Sequence, residues 1–412
     1  MYSDYNNYKG ALCSSWLQEE LITIDTKGPV SLPRRYSFRY VRIKILSAPH
    51  SVVLNNFSVE AVSSADFSAL KPLSTKIDKT LKKIDEISIH TLAECMQDFF
   101  EDGPKRDRRL WLGDFRLQAL ANYYTFNNLD IVRRCLYLFA SFDKVDKLLP
   151  SYLYTRPEID TGDAYLVSYS LLFTVSLCDY YEHTKDNTIV EELFETAKRQ
   201  IIITEKMLDD NLVLSMPENY GWWAFVDWSD IEPAVSLTGI FMYTLEKFAT
   251  LCNELNKKYD AEYFTNLLKN IRISAKKYLY NHQENIFVSS YDKNQYSVGA
   301  NVWMILGGVT SKNESQQILS KIINNDNFLQ PVTPYMHHYV VEAMLKSDMI
   351  TEATEYIKNY WGLMADYGAD TFWEVFVSND HFASPYGDSI INSSCHAWSC
   401  TPTYFIRKYN LK

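Results

Sequence analysis

Apolar residues along most of this chain return every three or four positions, the interval that places them on one face of an α-helix. The run Leu237, Ile240, Phe241, Thr244, Leu245, Phe248, Leu251, Cys252 and Leu255 shows the pattern well. Cut at its breakers, the periodicity predicts helices near residues 88–99, 114–126, 128–143, 163–183, 187–208, 231–256, 258–279, 296–307, 313–324, 334–346, 350–361 and 389–407. Short polar turns, Thr184 to Asn187 and Lys346 to Asp348, join partners antiparallel. Longer irregular connections, 101–113, 144–162, 209–230 and 366–388, link one pair to the next. Helices in sequential pairs predict a mainly α fold of six helical hairpins, an (α/α)6 barrel whose long connections gather at one end. The alternative, an open helical solenoid, would carry a consensus at a fixed period, and none recurs here.

The first 66 residues read differently. Tyr40 to Leu46 and Phe57 to Val62 are short, alternating, β-branched runs flanking the turn-prone stretch Ser47 to Asn56, which predicts a hairpin or sandwich edge. Two or three strands do not stand alone, so residues 1–66 are expected to be a small β-sandwich remnant packed on the helical part of the chain. Residues 67–87 then form a linker and 88–412 the barrel.

Composition narrows the partners. With 41 Lys+Arg against 51 Asp+Glu, the net charge of −10 argues against nucleic acid and anionic membranes. Aromatic residues make up 15% of the chain, and their flat faces suit the C–H faces of sugars, although most rings of a helical protein serve packing. Neither a signal-peptide pattern nor an apolar run long enough to span a bilayer is present, which predicts a cytoplasmic protein. Seven scattered cysteines read as reduced, buried thiols, and no spacing suggests a transition-metal site or a cofactor. His337 and His338 are adjacent, so on a helix they point about 100° apart and do not share a ligand sphere. The pattern says nothing about oligomeric state.

Polar chemistry concentrates in three places. Asp102 to Asp114 packs three Asp, three Arg, one Lys and Trp111 into a loop that feeds a helix. Gly368 to Glu374 sets a carboxylate beside Phe372 and Trp373, and rings that desolvate a carboxyl raise its pKa toward that of a working acid or base. Ser393 to Ser399 opens the last predicted helix with His396 in its first turn. Each also has an ordinary structural reading: Asp114 as the N-cap of a helix starting at Phe115, Glu374 as a surface carboxylate beside a core Trp373, His396 as a packed imidazole.

Together the three segments resemble the bacterial α-L-rhamnosidases: an Asp-x-Pro-x-Arg-(Asp/Glu) loop, a Gly-Ala-x-Thr-x-Trp-Glu segment and a His-Ala-Trp-Ser stretch, in that order. The likeness covers roughly residues 35–410 and implies a chain shortened at both ends relative to the family. It implies a six-hairpin glycosidase that cleaves terminal α-L-rhamnosides with inversion, Asp107 protonating the leaving oxygen and Glu374 activating water, the carboxyls about 6.5–9.5 Å apart. Asp102, Arg106, Trp111, Asp114 and His396 would hold the sugar. Trp222, Trp223, Trp228 and Trp373 could wall its apolar face. Arg106 and Arg108 beside Asp107 would keep it ionised unless burial or Asp102 and Asp114 offset them. Two alternatives stay open: another (α/α)6 carbohydrate enzyme, such as an unsaturated-uronyl or trehalase-like hydrolase, and an inactive carbohydrate-binding relative.

Overall fold

The computed structural model describes residues 21–25, 28–32, 35–38, 40–73, 76–155, 158–215, 223–292, 294–380, 382–387, 389 and 391–412. The periodic segments become α1 (Lys79–Glu94), α2 (Leu112–Tyr124), α3 (Leu129–Ala140), α4 (Val167–Thr184), α5 (Asn187–Glu205), α6 (Pro233–Glu254) and α7 (Lys258–Tyr278). They continue as α8 (Val298–Leu306), α9 (Lys312–Ile322), α10 (Pro334–Lys346) and α11 (Ile350–Ile357), which runs through a π turn (Lys358–Gly362) into α12 (Leu363–Asp366), and end with α13 (Pro402–Lys408).

Burial sorts these helices into two layers. Nearly every residue of α2, α4, α8 and α10 is buried, whereas α3, α5, α7 and α9 bury a single stripe. An all-round apolar helix must lie inside others, and the contacts agree: α2, α4, α6, α8 and α10 touch in succession, and the 3-10 turn Ala397–Ser399 with α13 closes the ring back to α2. This is the expected barrel of helical hairpins. Its tight turns lie at the C-terminal ends of the inner helices. At one of them Lys185 takes a left-handed φ of 55° and Asp186 caps α5 through Thr188 N. The long connections converge at the opposite end, together with a small antiparallel sheet of β1 (Leu110–Trp111), β2 (Tyr152–Tyr154) and β3 (Asp160–Thr161).

Three expectations need correction. The first helix starts at Lys79, ahead of the expected residue 88, because Asp78 accepts hydrogen bonds from Thr80 N and Leu81 N and so sets the N-terminus. The expected last helix, 389–407, is a loop, then the short 3-10 turn, then α13. Among the described residues no strand precedes Leu110, so the runs at Tyr40 to Leu46 and Phe57 to Val62 form no hydrogen-bonded sheet there. Their apolar side chains face outward, Tyr40 and Val59 at 84% and 76% exposure.

Candidate active site

Backbone hydrogen bonds sew the three polar segments together at the loop-rich end. Ala397 N donates to Asp102 O (2.6 Å), His396 N to Phe372 O (3.0 Å) and Glu374 N to Ser393 O (2.9 Å). Phe372 N in turn donates to Thr91 Oγ1 of α1. A Cβ on Gly103 would come within 2.7 Å of Arg106 O and 3.0 Å of Cys395 O, so only glycine lets the first and third segments approach this closely.

Arg106 is the centre of the arrangement. It is 4% exposed, and its Nη2 donates to both oxygens of Glu374 at 2.8 and 2.7 Å. Nη1 lies 3.5 Å from Asp107 Oδ1, Nε donates to Ile391 O at 2.7 Å, and the guanidinium carbon sits 4.3 Å from the centre of the Tyr386 ring. Glu374 is 1% exposed and accepts two further bonds, from Tyr386 Oη on Oε1 (2.6 Å) and from Ser393 N on Oε2 (2.8 Å). Burial works to raise its pKa, but Arg106, His396 and the Tyr386 hydroxyl outweigh burial and hold the carboxyl below its usual value. The sequence expectation was the reverse, that rings would raise it. Trp373 packs edge-on against Phe376.

The neighbouring acids differ in kind. Asp102 is buried and accepts from Gly103 N (2.8 Å), Arg109 N (3.0 Å) and Asp107 N (3.2 Å). Burial and the adjacent Asp107 nevertheless push its carboxyl up to about 8. Asp107 is the more open carboxyl, with Arg106 on one side and Arg109 Nη1 at 3.9 Å on the other. Arg108, expected to crowd it, turns away to donate to Pro104 O and Arg35 O.

Asp114 is not an N-cap. The helix begins at Leu112, which leaves Asp114 buried in the first turn, its Oδ1 3.1 Å from His396 Nε2. The approach makes an ion pair but is not aligned as a hydrogen bond, so Asp114 Oδ1 and both His396 ring nitrogens lack a hydrogen-bond partner among the described residues. Burial and the charge of Glu374 raise Asp114, with His396 opposing. Burial alone would lower His396, yet Glu374, Asp114 and Asp102 together carry it up to about 9. His396 thus sits among the carboxyl groups of Glu374, Asp114 and Asp102.

Rings line the same end. Trp111 packs on Tyr152 (4.5 Å between centroids) and edge-on to Tyr169 (6.1 Å), Trp398 lies 4.3 Å from His396 and stacks on Phe225, and Trp228 contacts Phe225 and Tyr386. Trp223 is a core side chain, and Trp222 lies outside the described residues. Sequence reasoning missed Tyr386, Tyr169, Phe225 and a role for Trp398. Only Trp398 carried a signal, since it stands in the His-Ala-Trp-Ser stretch and donates its Nε1 to Glu374 O at 2.9 Å.

At the opposite end, a cleft lined by Lys71, Tyr124, Arg407 and Lys412 is floored by an arginine already committed to Asp85. Among the described residues no group of three His, Cys, Asp or Glu could hold a metal ion, and no helix is long and apolar enough to cross a membrane.

Comparison with known proteins decides the family. A model of the bacterial alpha-L-rhamnosidase 6 hairpin glycosidase domain matches residues 74–409. The chain belongs to the bacterial α-L-rhamnosidase six-hairpin glycosidase family. It is a glycoside hydrolase. A model of the glycosyl hydrolase family 78 alpha-rhamnosidase N-terminal domain matches residues 1–61. Among solved structures, a rhamnosidase from Klebsiella oxytoca with rhamnose bound is 35% identical, with a TM-score of 0.86 over 99% of this chain and 79% of that one. A family 78 rhamnosidase of Bacillus sp. GL1 is 24% identical, with a TM-score of 0.69 over 82% of this chain and 36% of that one. The Streptomyces avermitilis alpha-L-rhamnosidase complexed with L-rhamnose, 17% identical with a TM-score of 0.64, covers 84% of this chain and 32% of its own, and shares the fold. No curated protein sequence matches the chain.

Proposed function

We propose that this rhamnosidase-family chain removes terminal α-L-rhamnosyl groups with inversion, Asp107 serving as general acid and Glu374 as general base. The observation that carries the reading is that one guanidinium, Arg106, faces both carboxyls from neighbouring nitrogens. Inversion calls for carboxyls about 6.5–9.5 Å apart, a separation that leaves room for a water molecule. Glu374, held ionised, suits a base, and the more open Asp107 suits an acid that must reach the leaving oxygen. In the reaction a water oxygen bonds to the anomeric carbon as the glycosidic C–O bond breaks, the water's proton goes toward Glu374, and the Asp107 proton goes to the departing oxygen.

Asp102, Asp114 and His396 supply donors and acceptors for the ring hydroxyls, and Trp111, Trp228 and Trp398 supply apolar faces for a neutral deoxy sugar. Arg106 is taken up by Glu374, which disfavours an acidic sugar, since a uronate would need a cation of its own. The match over residues 1–61 supports reading the start of the chain as a separate N-terminal part, followed by the six-hairpin catalytic barrel that α1 opens. The test is hydrolysis of a nitrophenyl α-L-rhamnoside against an unsaturated uronide, with early product followed by proton NMR. Rhamnose appearing first as the β anomer supports the proposal. Preference for the uronide, binding of rhamnose without turnover, or the α anomer first would each reject it.

A further inference from the structure

The four hydrogen bonds on Glu374 leave its carboxylate no open position. Each oxygen accepts twice, Oε1 from Arg106 and Tyr386 and Oε2 from Arg106 and Ser393 N, which fills the roughly four lone-pair sites of an ionised carboxyl. A base must receive a proton along one of those directions. Arg106 cannot give way, because it is buried and tied to Ile391 O and Asp107, and Ser393 N is backbone within the seam that joins the three segments. Tyr386 is the one partner that is half-buried rather than buried, and the one whose donor atom is also an acceptor.

The surroundings hold that hydroxyl in place. The Tyr386 ring lies on the Arg106 guanidinium and edge-on to Trp228, its backbone N–H donates to Ser384 Oγ, and Asn392 ties the loop together through Ser384 Oγ and Ala383 O. A tyrosine here is kept neutral, since burial and the Glu374 charge push its pKa up and outweigh the opposing Arg106, so it acts by passing a proton rather than by losing one.

We propose that Tyr386 is the proton relay between the attacking water and Glu374. As the water oxygen bonds to the anomeric carbon, its proton moves to Tyr386 Oη while the phenolic proton moves to Glu374 Oε1. The tyrosine ends neutral, Glu374 ends protonated, and no other reactant is consumed. The inference rests on Glu374 being the base, and the two can be tested apart.

The experiment compares Y386F, Y386A and E374Q with wild type on a nitrophenyl α-L-rhamnoside, with thermal unfolding of each checked. Y386F keeps the ring and its packing but breaks the relay, so kcat falls by roughly 10²–10³ with KM changed little, within the range of about 10²–10⁴ for general acid–base groups. Y386A opens a space in which a water can bridge to Glu374 and recovers part of that loss. Turnover of Y386F within about threefold of wild type, with E374Q inactive, overturns the relay and leaves the base assignment standing. An active E374Q overturns both. Equal losses in Y386F and Y386A, accompanied by lowered unfolding temperatures, also overturn the relay, because that is the pattern of a merely structural ring.

Discussion

Replacing Arg106 with methionine removes the charge that stabilises the ionised Glu374 while keeping much of the side-chain volume. Both side chains are almost fully shielded, at 5% and 2% exposure, so solvent screens little of their interaction. Removing one member of such a pair strands the other and costs about 3–5 kcal/mol, a large share of the roughly 5–15 kcal/mol that a domain has in total. The sign with pH is set by Glu374, whose folded pKa is depressed. Its contribution is present above the unfolded carboxylate value of about 4.3 and is lost as pH falls through the folded value. The penalty of R106M is therefore largest near neutrality and shrinks in acid, where the stranded carboxyl takes up a proton. Urea unfolding followed by tryptophan fluorescence measures it. The double variant R106M/E374Q, with no stranded charge, should be more stable than the two single losses added together would allow. If R106M cost under about 1 kcal/mol at neutral pH, or if the double variant lost the full sum, the stranded-charge reasoning would fail.

The geometry makes two further outcomes testable. Substituting Gly113 with alanine places a Cβ within 2.6–2.8 Å of the Tyr169 ring, an overpacking that should cost about 1–3 kcal/mol. Because Gly113 lies between Trp111 and Asp114, thermal melts and rhamnoside KM should worsen together. For His396, raised to about 9, the charged imidazolium contributes stability that is complete below its unfolded pKa of about 6.5 and is lost as pH rises through 9. H396N should therefore lose more stability relative to wild type at pH 6 than at pH 10, and an NMR titration should find the wild-type ring protonated at pH 7.

Much of the fold is legible because inner helices must be apolar on all sides and outer ones on a single stripe. Helices α4 to α7 fall within a few residues of the periodic segments. Ends are another matter. The Lys79 to Lys83 turn is mostly polar and hides the start of α1, which the Asp78 cap sets. Periodicity carried the last helix back through residues 393–399, but there the backbone of Ser393, His396 and Ala397 bonds across the site, to Glu374, Phe372 and Asp102, and only a short 3-10 turn closes locally, from Ser399 N to His396 O. The motif residues Asp102, Arg106, Asp107, Asp114, Glu374 and His396 do share one space. What the sequence hides is who pairs with whom. Arg106 reads as a neighbour of Asp107, yet its strongest partner is 268 positions away, and no local pattern reports that distance. Tyr386 stands in an ordinary Ser-Pro-Tyr-Gly turn with nothing to separate it from the other 29 of the chain's 30 tyrosines. The apolar alternation before Phe67 reads as strand, but among the described residues it forms no hydrogen-bonded sheet.

The acid–base assignment is tested most directly by the leaving-group dependence of D107N. An acid matters most when the departing oxygen is a poor leaving group, and a nitrophenolate leaves with little help. The ratio to be measured is kcat/KM of D107N over wild type, on a nitrophenyl α-L-rhamnoside and on an alkyl α-L-rhamnoside. With Asp107 as the acid, the alkyl glycoside should lose at least about tenfold more activity than the nitrophenyl glycoside, against a general acid contribution of about 10²–10⁴. Equal losses on both substrates would contradict the assignment.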